Sequence, residues 1–182
     1  MNQRLAQLGI VAIAAIALLL VSDVCGQESA ELKIKLTDRI PYGKLPVDYF
    51  SKSVDDAVAE LNLKLSSGKI SLNYDQPQGY LRHVLKLLNV PVESQLLVYS
   101  KTARSPNLVG PKSPRAIYFN DEISVAWIPD SKELELTALD HAKGATFYTL
   151  SQVEPQQSLP TFLSRARCLA LHSARSSLEL PG

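Results

Sequence analysis

Short β-type segments joined by brief turns fill the second half of the chain, and they limit the folds open to it. Five such segments lie at residues 95–100, 116–119, 123–128, 133–138 and 145–151. The last four are separated only by short turns that contain Asn, Asp, Pro or Gly. Because a parallel pair of strands needs a crossover of about a dozen residues or more, connections this short favour antiparallel pairing. The sequence therefore predicts an antiparallel meander of four or five strands.

Two segments before the meander have the apolar spacing of amphipathic helices. They lie at residues 53–68, with Ser53 as the candidate N-cap, and at residues 79–90. Together with the meander they predict an α+β fold for a domain over residues 27–152. We expect a linker at 153–160 to follow.

The first 26 residues have the layout of a signal peptide. Arg4 precedes an uncharged apolar run at residues 8–21, which is shorter than the roughly 20 residues of a membrane span. Cleavage after Gly26 would export the protein to the periplasm or the medium, with no stable membrane span left. An uncleaved anchor helix is one alternative. Lipoprotein anchoring at Cys25 is another, although Val24 suits that modification poorly.

Charge and cysteine content narrow the function further. The formal net charge is +1, so composition gives no reason to expect a nucleic-acid partner. Of the two cysteines, Cys25 would leave with the signal peptide, and Cys168 alone cannot form an internal disulfide. The sequence has no nucleophile elbow, phosphate-binding glycine loop or zinc-ligand spacing. We therefore expect no catalytic residues, and the sequence favours a protein that is not an enzyme.

A damaged haem-attachment motif lies near the C-terminus. Residues 161–176 have a helical pattern, and on a helix Cys168 and His172 would share one face. The haem c motif C-x-x-C-H needs that spacing, because its thiols bond the haem vinyl groups and its histidine ligates the iron. Here Leu171 replaces the second cysteine, so at most one thioether can form, at Cys168. A buried cysteine beside a solvent-facing histidine would show the same spacing.

Few other residues suit a haem. The one methionine, Met1, belongs to the signal peptide, so a sixth iron ligand would have to be His83 or His141. Each of these also suits a solvent-facing or capping position. Three arginines near the cysteine would either pair with haem propionates or form a solvated basic face: Arg165, Arg167 and Arg175.

Blocks of consecutive residues across the chain carry a family resemblance. They are residues 79–82 with 88–91, residues 95–102, residues 113–122 and residues 144–150. With these blocks the chain resembles an uncharacterised family of exported bacterial c-type cytochrome-like proteins, in which C-x-x-C-H and then Leu/Val-Pro-Gly follow.

The resemblance implies haem c as cofactor, electron transfer as function and redox proteins of the envelope as partners. It assigns haem binding to Cys168 and axial iron ligation to His172. Family members continue beyond the motif, so residues 161–182 would be a truncated haem-attachment segment. The alternative is a haem-free exported α+β module with an interaction or scaffold role.

Overall fold

A six-stranded antiparallel sheet is the framework of the protein. The computed structural model describes residues 42–154, 159–173 and 181, so the predicted signal peptide lies outside the described residues. The strands follow chain order across the sheet, each pairing with the next: β1 (Leu96–Val98), β2 (Arg115–Phe119), β3 (Ile123–Trp127), β4 (Glu133–Asp140), β5 (Gly144–Ser151) and β6 (Phe162–Ser164).

Side-chain hydrogen bonds in the turns set the register of the central strands. Asn120 Oδ1 accepts from the backbone N–H of Ile123 at 2.8 Å, closing the turn between β2 and β3. Asp140 Oδ1 accepts from the N–H of Lys143 at 2.9 Å in the turn between β4 and β5. Gly144 follows with a φ of +78°, which residues with a Cβ rarely adopt. The turn between β4 and β5 is followed by pairing of these two strands along their full length.

One face of the sheet forms the main core, and we call it the helix face. Tyr118, Val125, Leu136 and Tyr148 lie on it side by side in cross-strand register, and all four are buried. This is the alternation expected of strands with one covered face.

Helices α1 (Ala57–Ser66) and α2 (Leu81–Leu87) cover the helix face. Six of their side chains are buried in the shared core: Val58, Leu61, Leu65, Leu81, Val84 and Leu85. Burying each such side chain contributes about 1.5–3 kcal/mol before the entropy of ordering is counted. This packing, rather than intrinsic propensity, accounts for helices of only ten and seven residues.

The opposite face of the sheet, which we call the open face, is covered only along its margins. Ile117, Ala126, Glu135 and Thr149 form one cross-strand row on it. The loop between β1 and β2 folds over one side, and the segment after β6, together with Val47 and Tyr49, packs over the other. A cavity remains between the two.

The predicted fold class is wrong in its strand number and at its C-terminal end. The sheet has six strands, not four or five, and the helices predicted at 53–68 and 79–90 are shorter than expected. In place of the predicted C-terminal helix there is strand β6, then a 3-10 turn at Ala166–Cys168 and a single helical turn at Leu169–His172.

The physical reason for the C-terminal difference lies in the backbone of Phe162. Its N–H donates to Asn62 Oδ1 at 3.0 Å, and its carbonyl accepts from Asn62 Nδ2 at 3.1 Å. Its ring is buried in the main core, and its register partner is Leu150 on β5. The segment thus satisfies its backbone at the sheet edge, and a helix would forfeit both these bonds and the buried ring.

Candidate functional site

The cavity on the open face has a volume of about 450 Å³. Volumes of about 300–1,000 Å³ are usual for pockets that bind small molecules and cofactors. Strands β2 to β5 form its floor, and the loop after β1 and the turns after β6 form its rim. Apolar side chains of its floor include Ile117, Ala126 and Phe147. We call this cavity the sheet pocket.

Both residues of the degenerate motif line the sheet pocket. Arg165 follows β6, and its N–H donates to the carbonyl of Phe147 at 2.7 Å, which directs the chain back over the sheet. Leu169, 1% exposed, packs on Ala145 and Phe147 and fixes the turn that carries the motif. Cys168 is half-buried beside this cluster and forms no disulfide. The structure therefore brings Cys168 and His172 to one cavity without the predicted helix.

The imidazole of His172 lies against an aromatic ring of the pocket floor. Its centroid is 4.8 Å from that of Phe147, and the two rings are tilted by 41°. His172 as a whole residue is exposed. An imidazole in this position can act as a ligand at the pocket rim.

Burial has the largest effect on the thiol of Cys168, and it raises the pKa of that thiol above its usual value. The nearby guanidinium of Arg104 lowers the pKa, while the carboxylate of Glu135 raises it further. The net direction is upward, so Cys168 is a neutral thiol at pH 7. This is not the environment of a thiolate nucleophile, which needs a lowered pKa.

A network of arginines and glutamates borders the sheet pocket. Arg115 Nη2 is 3.0 Å from Glu135 Oε2, and Arg104 Nε is 2.8 Å from Glu133 Oε2. Arg165 Nη2 is 3.3 Å from the other oxygen of Glu133. Adding Arg167 on the rim, four guanidinium groups face two carboxylates, a formal surplus of two positive charges.

One donor of this network has no partner. Among the buried side-chain nitrogen and oxygen atoms of the described residues, Arg115 Nε alone lacks a hydrogen-bond partner. Leaving a buried donor unsatisfied costs about 1–3 kcal/mol. Arg115 as a residue lines the sheet pocket, so its guanidinium is placed to meet an acceptor supplied by a ligand.

The other predicted haem contacts lie elsewhere. His83, on α2, accepts from the N–H of Asn73 through Nδ1 at 2.7 Å, and His141 lies exposed in the turn between β4 and β5. Neither lines the sheet pocket. Arg175 lies outside the described residues. In the described ranges no three His, Cys, Asp or Glu side chains converge to hold a metal ion directly.

Sequence reasoning missed Arg104 and Arg115, which lie far from the motif in the chain. A signal for them existed in β4, where Glu133 and Glu135 alternate with Leu134 and Leu136. The leucines are buried on the helix face, so both glutamates must face the other way, where cations are needed as partners.

The residues present fit a haem that is held by one thiol and one imidazole. Cys168 and His172 share a cavity, apolar side chains offer a surface for a flat ring, and the surplus positive charge suits two propionates. Iron would then enter within the cofactor, with His172 as its protein ligand. The lining includes no second cysteine and no histidine besides His172.

Comparison with protein-family models, with curated proteins and with solved structures finds no match to this chain. The resemblance to c-type cytochrome-like proteins therefore stays a prediction. None of the helices within 42–154 and 159–173 combines the length and apolar character needed to cross a membrane.

Proposed function

We propose that this protein is an exported c-type cytochrome-like protein that binds haem in the sheet pocket and transfers electrons. The observation that carries the proposal is that Cys168 and His172 line one cavity of about 450 Å³. Haem supplies reversible one-electron chemistry at its iron when bound. The protein supplies attachment, orientation and charge.

Each pocket residue has a role in this proposal. Cys168 would hold the haem by a single thioether, in which Sγ would bond one vinyl carbon and the thiol hydrogen would pass to the neighbouring carbon. His172 would bind the haem iron, and Phe147, whose ring centroid lies 4.8 Å from that of the imidazole, would orient it. Because Leu171 has no thiol, the second vinyl group stays unmodified.

In this proposal the protein acts in the envelope or is secreted. Residues 1–26 direct export, and haem c is attached to apoproteins after export. Redox proteins of the same compartment are the partners, and the exposed rim around Arg167 and His172 is the side from which electrons would pass.

Covalent attachment is tested by co-expressing the full chain with a haem c maturation system and recording the pyridine haemochrome spectrum after denaturation. We expect a covalent signal shifted toward the single-thioether position. Cys168→Ala should lose that signal, and Leu171→Cys should increase the yield of haem-loaded protein. His141→Ala, in an exposed turn, is the matched control and should retain the wild-type haem content. Equal covalent haem in the wild type and Cys168→Ala would exclude this attachment site.

A second candidate is a haem-free exported module that binds other proteins. It is favoured by β1, a strand at the edge of the sheet, with Leu96 55%, Leu97 46% and the adjoining Tyr99 56% exposed. Edge strands with exposed apolar side chains can add a strand from a partner. Well-folded wild-type and Leu171→Cys proteins that both lack haem would favour this candidate.

A further inference from the structure

We infer that Arg115 is the carboxylate anchor of the sheet pocket, so that the pocket selects ligands that carry a carboxylate. The inference deepens the proposed function and rests on it, since the carboxylates there would be the haem propionates. Arg115 is distant in the chain from Cys168 and His172, and its role would determine which porphyrins bind.

The position of Arg115 is set by the sheet. It begins β2, and its guanidinium reaches Glu135 on β4, with β3 between them. Ala126 on β3 is the register partner of Glu135, and its small side chain leaves room for this reach. The side chain of Arg115 is 17% exposed, so it is held in place rather than swinging in solvent.

The hydrogen-bonding capacity of this guanidinium is only partly used within the protein. Arg115 Nη2 bonds Glu135 Oε2 at 3.0 Å, while Nε is buried without a partner. Glu135 Oε1 is already the acceptor for the N–H of Arg104 at 2.8 Å. A guanidinium presents a fork of five donors that matches a carboxylate, and Arg115 lines the pocket, so the donors that Glu135 leaves unused can bond a ligand carboxylate.

The charges around the pocket favour an anion over a neutral ligand. Glu133 and Glu135 from β4 face four arginines: Arg104 from the loop after β1, Arg115 from β2, and Arg165 and Arg167 from the segment after β6. The remaining titratable residues of the lining are Tyr148, Cys168 and His172. Two propionates would balance the formal surplus of two positive charges. Ile117, Ala126 and Phe147 offer a ring an apolar surface among polar floor residues such as Ser124 and Thr137, so the pocket suits a flat molecule that carries acidic groups.

The test compares protoporphyrin IX, a diacid without iron, with its dimethyl ester, which has the same ring and no charge. Each is titrated into the full-length apoprotein, and binding is followed by porphyrin fluorescence. Neither probe needs Cys168 chemistry or iron ligation. We expect the wild type to bind the diacid about tenfold or more tightly than the ester, as a charge-assisted hydrogen bond predicts.

Arg115→Gln should weaken binding of the diacid by about tenfold or more and leave the ester unchanged, so that the two affinities converge. Arg82→Gln is the matched control, since it removes the same charge from α2, outside the sheet pocket. It should leave both affinities at the wild-type value. Glu135→Gln removes the competing carboxylate and should tighten binding of the diacid alone, which keeps the inference testable if Arg115→Gln fails to fold.

The outcomes separate this inference from the proposed function. Equal binding of the diacid and the ester by the wild type, or equal weakening of both by Arg115→Gln, would overturn the role of Arg115 while haem binding stands. Binding of neither porphyrin would also overturn the role of Arg115, and the covalent haem signal of the wild type against Cys168→Ala would then decide the proposed function by itself.

Discussion

Asp56 joins helix α1 to the sheet through a single carboxylate. Its Oδ1 caps the helix by accepting from the N–H of Ala59 at 2.8 Å. Its Oδ2 accepts from Thr146 Oγ1 and from the phenol of Tyr148, each at 2.6 Å. Burial, and then the bond to Asp56, raises the pKa of Tyr148, so this phenol remains a donor at all ordinary pH values.

Tyr148→Phe should lower the free energy of unfolding by about 1.5–3 kcal/mol, because it removes a buried hydrogen bond to a carboxylate. Tyr49→Phe should cost less, about 1 kcal/mol, since the Tyr49 phenol donates to the neutral carbonyl of Ala145. Tyr99→Phe, at an exposed position, is the control and should have little effect. Urea unfolding of the three variants measures the order, and a Tyr148→Phe variant as stable as Tyr99→Phe would contradict it.

At the scale of residues, sequence patterns located side chains that are close in the chain and missed those brought together by the fold. The spacing of Cys168 and His172 placed them together, and the structure puts both in one pocket. The cap of α1 was expected at Ser53 and is Asp56, because only Asp56 reaches both the helix and β5. Arg115 on β2 pairs with Glu135 on β4 across the intervening strand β3, and no local sequence pattern predicts a contact between residues so far apart in the chain.

At the scale of elements, the edge strand β6 depends on α1. Asn62 exchanges two hydrogen bonds with the backbone of Phe162, as a neighbouring strand would. The segment after β6 then carries Arg167, Cys168 and His172 to the pocket. The turns that carry the motif are therefore positioned in part by a helix on the opposite face.

Asn62→Ala should lower the free energy of unfolding by about 1–2 kcal/mol, since two backbone groups of Phe162 lose their side-chain partner. Amide hydrogen exchange should accelerate at Phe162 and in the 3-10 turn Ala166–Cys168, while β3 keeps its wild-type protection. Asn107→Ala, in the exposed loop after β1, is the matched control. Unchanged exchange at Phe162 in the Asn62→Ala variant would show that pairing with β5 alone holds this strand.

The contact between Asn62 and Phe162 also explains why strand β6 could not be predicted from the sequence. In the turns between β2 and β3 and between β4 and β5, Asn120 and Asp140 accept hydrogen bonds from backbone N–H groups three residues ahead. Residues of this kind mark turns in the sequence, so the strands beside them could be predicted. Residues 161–176 have a helical pattern, yet Phe162 gains a buried site and a partner one hundred residues away in Asn62. Long-range contacts of this kind override local propensity, and they determined both the extra strand and the missing helix.

At the scale of the whole molecule, the main core that stabilises the fold and the sheet pocket lie on opposite faces of the sheet. The helix face holds the main core, and the open face holds the sheet pocket and its charges. Pocket residues such as Arg115 and Cys168 can therefore vary at less cost to folding than core residues such as Val125 and Leu150, which are fully buried.

Asp140 connects two distant parts of the chain and makes global stability depend on pH. Its Oδ2 accepts from the N–H of Asp55 at 2.7 Å, just before α1, while Oδ1 accepts from the N–H groups of Ala142 and Lys143. Burial raises the pKa of Asp140, but these three donors together with the Lys143 ammonium outweigh it, and the net direction is downward. The unfolded chain therefore binds a proton more readily at this position than the folded protein.

Because the pKa of Asp140 is lower in the folded protein than in the unfolded chain, its ionised form stabilises the fold. The contribution of Asp140 to stability is fully present above the unfolded pKa of about 4 and is lost as the pH falls through the lower folded pKa. Asp140→Asn keeps an acceptor oxygen but cannot titrate, so it should be less stable than the wild type at pH 7, and the difference should shrink as the pH falls below about 4. Urea unfolding of both proteins between pH 7 and pH 3 measures this. A difference in stability that stays constant across the range would show that Asp140 acts through its hydrogen bonds alone and that its charge contributes nothing.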